Sequence, residues 1–114
     1  MNLNSVLIEG CFYEDIPEDS GDNFSFYIKH EALVQGGSEV KTETYFFEVE
    51  VSGELAKKCR INGKKDKGIR VVGTLRQRFS NSADKEPVES VLTAKAVIEA
   101  THIEFERTIQ KFSN

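Results

Sequence analysis

The sequence lacks several features that would define its class at once. It has no tryptophan, only one methionine, two prolines and two cysteines in 114 residues. No apolar run approaches the roughly 20 residues that a helix needs to span a bilayer. Cys11 and Cys59 stand in no CxxC or Cys/His cluster, so we expect two buried or half-buried thiols rather than metal ligands. The amino terminus shows no export signal, and we expect a cytoplasmic protein.

Catalytic and cofactor motifs are also missing. The glycine-containing segments GGS and GKKDKG lack the spacing and the strand–loop–helix context of a phosphate loop. His30 and His102 belong to no HxH or HExxH pattern. Glu48 and Glu50 lie near the separation used by glycosidases, but no companion machinery accompanies them, and alternating glutamates are typical of a solvent-facing strand. We therefore expect a binding protein, with no enzyme activity, cofactor or metal.

Positive charge is concentrated in one stretch of an acidic chain. The formal net charge is −4, yet Lys57 to Phe79 contains nine lysines or arginines and a single acid, Asp66. Such sharp segregation predicts an anionic partner on one face, with nucleic acid as the first candidate. We name residues 57–79 the basic block.

The spacing of apolar residues predicts one small all-β domain. Alternation with period two predicts four strands, an acidic loop follows the first, and the third is the clearest because its inward face carries Tyr45, Phe47, Val49 and Val51. Leu75 falls on the inward parity of the fourth strand. The predicted strands cover residues 4–12, 24–30, 42–52 and 69–79, and the acidic loop covers 14–22.

One helix and one further strand complete the pattern. Ser52 is expected to cap a short helix over 53–61, which Asn62-Gly63 ends. The segment from Val88 to Phe105 is interpreted as a kinked strand, with a helix as the alternative beyond Ala100. Three strands, a helix and two strands predict a five-stranded OB-fold Greek-key barrel with the helix between strands three and four.

The candidate binding residues lie on the outward side of the predicted strands, except Phe79, which follows the outward row of the fourth strand. Arginines can hold phosphates by charge-assisted hydrogen bonds, and neighbouring aromatic rings can stack on bases. The alternative is a solvated strand face on which the arginines pair with Glu48 and Glu50 of strand three. The candidates are Tyr27, Lys29, Phe46, Arg70, Arg76, Arg78 and Phe79.

Four motifs in order resemble the bacterial single-stranded DNA-binding protein (SSB) family. They are NSVLIEGCF at 4–12, TYFFEVEVSGELAKKC at 44–59, GIRVVGTLRQRF at 68–79 and ATHIEF at 100–105. The resemblance implies the OB-fold over 1–106, a homo-oligomer, with the tetramer first and the dimer as the alternative, and nucleoid-associated roles in replication, recombination and repair. It also implies that Phe46 and Phe79 stand near the family's base-stacking tryptophans. Arg76 and Arg78 match its basic positions on the fourth strand.

Departures from the family pattern leave two alternatives open. The chain has no tryptophan, and Ser52 replaces an aromatic residue, so stacking is expected to be weaker. Residues 107–114 form a short extension without the family's acidic tip, which puts recruitment of replication and repair partners in doubt. The primosomal replication-restart protein PriB, a tail-less relative, is the nearest alternative. The other is a protein-interaction module whose basic face meets an acidic protein.

Overall fold

The described part of the chain folds into a closed β-barrel with one helix. A computed structural model describes residues 2–78 and 95–106. The strands close in the order β1-β2-β3-β5-β4, and all neighbours are antiparallel except β3 and β5. The predicted OB-fold topology is confirmed. The elements are β1 Val6–Phe12, β2 Asn23–Gly36, β3 Glu39–Ser52, α1 Gly53–Asn62, β4 Gly68–Arg78 and β5 Lys95–Phe105.

Inward-facing apolar side chains fill the barrel. Phe12, Ile28, Val49 and Ile69 are fully buried, and the ring of Phe12 stacks on that of Phe26 with 5.2 Å between centroids. Burial of each such side chain stabilises the fold by about 1.5–3 kcal/mol. The predicted alternation is therefore confirmed within the barrel.

β2 and β3 continue beyond the barrel as a two-stranded ribbon. The two strands are 14 residues each and pair up to Gly36 opposite Glu39. Gly37 makes the turn with φ of +63°, a conformation that favours glycine. The predicted strands, one ending at His30 and the other beginning at Thr42, are therefore too short. Sequence alternation fades in this ribbon because neither of its faces is covered by the core.

The inward positions predicted at two strand ends are wrong. Tyr45 is 41% exposed and Leu75 is 48% exposed. Both side chains have the inward parity of their strands, but they lie where β3 and β4 run past the packed interior.

β5 remains a strand as far as Phe105. The helical alternative beyond Ala100 is wrong for 101–105, and the part of the strand prediction over 88–94 lies outside the described residues. A register shift at Val72/Gly73 marks a bulge against β5. One extra residue changes the parity of a strand, which lets Ile98 and Ile103, five positions apart, both be buried.

The helix α1 begins at Gly53 as predicted and ends at Asn62, one residue later than predicted, and its first turn is held differently. Ser52 occupies the N-cap position without a capping side-chain bond; instead the Gly53 N–H donates to the carbonyl of Asp22, 2.9 Å away. At the other end, Gly63 donates to the carbonyl of Cys59. In the described ranges, 2–78 and 95–106, no helix has the length and apolar character that a membrane crossing requires.

Both thiols are free, as predicted. Cys11 is half-buried, and Cys59, on the buried side of α1, is fully buried. Burial raises the pKa of Cys59 to about 12, so it stays protonated at neutral pH. Within the described part of the chain, no group of three or more His, Cys, Asp or Glu side chains is arranged to hold a metal ion.

Candidate nucleic-acid interface

Four neighbouring strands present one continuous outer face. The register aligns Tyr27 with Glu48, Glu48 with Val97, and Val97 with Arg76. Directly paired residues project from the same side of a sheet, so this row crosses β2, β3, β5 and β4. We call the surface the outer face, and its charged and aromatic members are Tyr13, Tyr27, Lys29, Glu31, Phe46, Glu48, Glu50, Arg76, Arg78, Lys95 and Glu99.

Aromatic rings line one side of the outer face. Tyr27 is 45% exposed and Phe46 is 50% exposed, as their outward parity predicts. Phe46 contacts Tyr13 edge to face, with 5.0 Å between ring centroids. Tyr13 follows β1 directly and its backbone N–H donates to the carbonyl of Tyr27. A half-exposed ring steadied by a neighbour is a platform on which a planar group can stack.

Tyr13 is a member of this surface that the sequence analysis missed. The available signal was parity, because Phe12 faces inward at the end of β1 and the next residue must face out. What the sequence did not show was that β1 ends beside Phe46 of β3.

Two arginines lie on the other side of the outer face, and both are paired. Arg78 contacts Glu48 at 2.5 Å and Glu50 at 2.8 Å. Arg76 contacts Glu50 at 2.5 Å and Glu99 at 3.0 Å. The ion pairs expected of a solvated strand face are therefore formed. They reach from β4 to β3 across β5, and Glu99 of β5 is a partner that the sequence analysis missed.

Glu48 is the anchor of this network. Its side chain is 8% exposed, and it accepts hydrogen bonds from the hydroxyls of Ser25 at 2.8 Å and Tyr27 at 3.5 Å. Burial alone would raise the pKa of Glu48, but the bonds from Ser25 and Arg78 together with the arginine's charge hold that pKa below its usual value. Hydrogen bonds to the carboxylates of Glu50 and Glu48 raise the pKa of Arg78.

Positive and negative charges balance across the described part of the outer face. Lys29 is 3.9 Å from Glu31 on the same strand, and Lys95 stands opposite Arg78 in the register. With Arg76, these cations are matched by the carboxylates of Glu31, Glu48, Glu50 and Glu99. An anion that binds here meets arginines that already hold carboxylates.

Arg70 is not part of the outer face. It lies six residues before Arg76 on the curved strand β4, about 20 Å away at the usual rise per residue. Its guanidinium contacts Glu9 at 2.5 Å and Glu104 at 3.7 Å. The side chain lines a groove between β1 and the β2–β3 ribbon. We call this the β1 groove, and its lining residues are Leu7, Ile8, Glu9, His30, Tyr45, Phe47 and Arg70.

Phe79, the remaining predicted site residue, lies outside the described residues. The structure therefore brings together Tyr27, Lys29, Phe46, Arg76 and Arg78 of the predicted set, and it separates Arg70 from them.

The basic block does not form an isolated patch. The acidic loop 14–22 packs against α1 and the loop that follows it: Ile16 is 6% exposed and donates its N–H to the carbonyl of Gly63. The carboxylate of Asp15 accepts from the N–H of Lys65, and Asp22 pairs with Arg60 at 3.1 Å. Acids distant in sequence are thus placed beside Arg60 and the backbone of Lys65.

The fold and the outer face together define the class of protein. The chain is an OB-fold barrel with aromatic rings and arginines on one outer face, and in this fold such faces bind oligonucleotides or oligosaccharides.

The chain is similar in fold to solved single-stranded DNA-binding proteins. The small single-stranded DNA-binding protein from Streptomyces coelicolor shares 18% identity at a TM-score of 0.65, over 93% of this chain and 96% of that one. The Plasmodium falciparum SSB in complex with ssDNA shares 16% at 0.65, over 94% and 97%. The small single-stranded DNA binding protein from Mycoplasma pneumoniae shares 22% at 0.57, over 98% and 100%.

At these identities the comparisons show a shared fold. No family model and no curated protein matches the sequence.

Proposed function

We propose that this chain is an SSB-family protein that binds single-stranded DNA with little sequence preference and without catalysis. The observation that carries the proposal is the outer face, where exposed aromatic rings and two arginines share one side of an OB-fold barrel. The sequence resemblance and the similarity in fold to single-stranded DNA-binding proteins support the same function. We propose that it acts in replication, recombination and repair.

In the proposed complex a single strand crosses the outer face from β2 to β4. Bases stack on Phe46 and Tyr27, with Phe79 as a further platform, each stack contributing about 1–3 kcal/mol. Phosphates bind Lys29, Arg76 and Arg78. Stacking is tolerant of base identity because every base has a π-face, which accounts for the expected lack of sequence preference.

The test is a titration with labelled dT oligomers of graded length at two salt concentrations. Binding that tightens with length up to one site size and weakens with salt supports the proposal. Competition by poly(dT) but not by duplex DNA separates single-strand binding from a protein-interaction module. No binding to any oligomer at low salt overturns it.

The PriB-like alternative predicts a different partner. A replication-restart protein contacts its helicase as well as DNA, so a pull-down with that helicase distinguishes the two functions. Coating of single strands without helicase binding favours the SSB assignment.

We also propose that the chain forms homo-oligomers, with the tetramer as first candidate. β1 pairs with β4 from Val6 to Cys11 but with β2 only at Cys11 and Phe12. Among the described strands, the other edge of β1 therefore has unpaired positions, and exposed edges favour pairing with another chain. Beside that edge lies the largely apolar β1 groove, in which Leu7 is 68% exposed.

Light scattering coupled to gel filtration tests this assembly. Wild-type protein is expected to run as an oligomer, and Leu7→Glu is expected to shift it toward the monomer. A monomeric wild type at micromolar concentration contradicts the proposal.

A further inference from the structure

The ion pairs of the outer face support an inference that rests on the proposed function. We propose that Glu50 and Glu99 compete with DNA phosphates for Arg76 and Arg78, and thereby set the affinity and the salt dependence of single-strand binding. The outer face then exchanges internal carboxylates for external phosphates when the strand binds.

The geometry makes such an exchange direct. A guanidinium offers five N–H donors in a planar fork, and the fork fits a carboxylate and a phosphate in the same way. Glu50 bridges the two arginines, with one oxygen 2.5 Å from Arg76 and the other 2.8 Å from Arg78. Glu99 contacts the other terminal nitrogen of Arg76 at 3.0 Å. These carboxylates occupy the donors that a phosphate would need.

Glu50 and Glu99 differ from Glu48 in how firmly they are held. Glu48 is nearly buried and is also fixed by Ser25 and Tyr27, so it stays in place. The side chain of Glu50 is 24% exposed and that of Glu99 is 46% exposed. Solvent can hydrate both carboxylates when the arginines turn to phosphate.

Each competing carboxylate lowers the ionic component of binding. A free arginine that neutralises one phosphate releases condensed counterions, and the logarithmic salt slope changes by about 0.7 per neutralised phosphate of a single strand. When the arginine leaves a carboxylate, a negative charge remains beside the phosphate and attracts cations back. The salt slope of the wild type is therefore expected to be shallower than the slope that Arg76 and Arg78 would give without the competing carboxylates.

The experiment compares Glu50→Gln, Glu99→Gln and the double variant with wild type. Binding of a fluorescein-labelled dT oligomer is followed by anisotropy at several salt concentrations. Circular dichroism melts check that each variant is folded. Glu39→Gln is the matched control, since it makes the same charge change on the same strand, about 36 Å from Glu50 at the usual rise per residue and far beyond the Debye length of about 10 Å.

We expect each single variant to bind up to about fivefold more tightly at low salt. Its slope should be steeper by up to about 0.7, and the double variant should show both effects more strongly. Glu39→Gln should match wild type. Unchanged or weaker binding by both single variants would overturn the inference and would mean that the carboxylates position the arginines or do not meet DNA. Failure of wild type to bind any oligomer would instead overturn the proposed function.

Discussion

Removal of the Phe46 ring is the most direct test of stacking on the outer face. Phe46 is half exposed and touches Tyr13 at its edge, and it is absent from the buried core cluster. Its replacement by alanine should therefore leave the barrel intact. What is lost is a flat surface on which a base can lie.

The magnitude follows from the number of bases involved. One ring supports one base, and a base–aromatic stack contributes about 1–3 kcal/mol. Loss of one stack thus weakens binding roughly 5- to 150-fold. Because Phe46 carries no charge, the dependence of affinity on salt should not change.

The assay is a titration of a labelled dT oligomer at several salt concentrations. Phe46→Tyr should restore most of the affinity, whereas Phe46→Leu, which is apolar but has no π-face, should bind nearly as weakly as Phe46→Ala. Ile61→Ala removes a comparably exposed apolar side chain from α1 and should match wild type. Full affinity in Phe46→Leu would refute stacking as the role of this residue, as would a flatter salt slope in Phe46→Ala.

Three further predictions follow from the network and the bulge. Arg76→Ala combined with Arg78→Ala should weaken binding and flatten the salt slope by up to about 1.4; an unchanged slope in the same titration would remove both residues from the site. Gly73→Ala should lower Tm by roughly 4–20 °C in a thermal melt, because a Cβ at Gly73 would collide with the carbonyl of Glu99, while Gly36→Ala, with open space around it, should melt like wild type. The pKa of Glu48 is lowered in the folded state from an ordinary value of 4.5. The unfolded state then binds more protons between the two pKa values, so stability should fall as pH drops from about 4.5 through the folded pKa. In urea titrations at graded pH, Glu48→Gln should lose the part of the fall in stability that Glu48 causes. A pH profile of stability equal to that of wild type would contradict a lowered pKa of Glu48.

The barrel could be predicted from the sequence because its signals are local. Alternation with period two along each strand needs only neighbouring residues, and it placed Val49 and Val51 in the core, where both are buried. It also placed Tyr27 and Phe46 outside. The same reasoning failed where strands leave the barrel, as at Tyr45, because parity gives the side of a strand but not whether anything covers that side.

Partners across strands could be predicted only in part. The alternative pairing of the arginines with Glu48 and Glu50 was visible as a charge pattern, but the role of Glu99 depended on β5 lying between β3 and β4. That strand order depends on the parallel pairing of β3 with β5, two strands more than 40 residues apart in sequence. No local pattern specifies which carboxylate such a pairing brings to an arginine.

Charge shows the same division between sequence and tertiary structure. The sequence by itself determined a small all-β barrel and concentrated the positive charge in residues 57–79. Only the tertiary structure decided where that charge is available, because folding packs the acidic loop 14–22 against one part of the block and places Glu50 and Glu99 on another. Opposite charges from distant segments attract most strongly once the core has brought them within a few ångströms, so the basic character of the block in the folded protein depends on its neighbours in space.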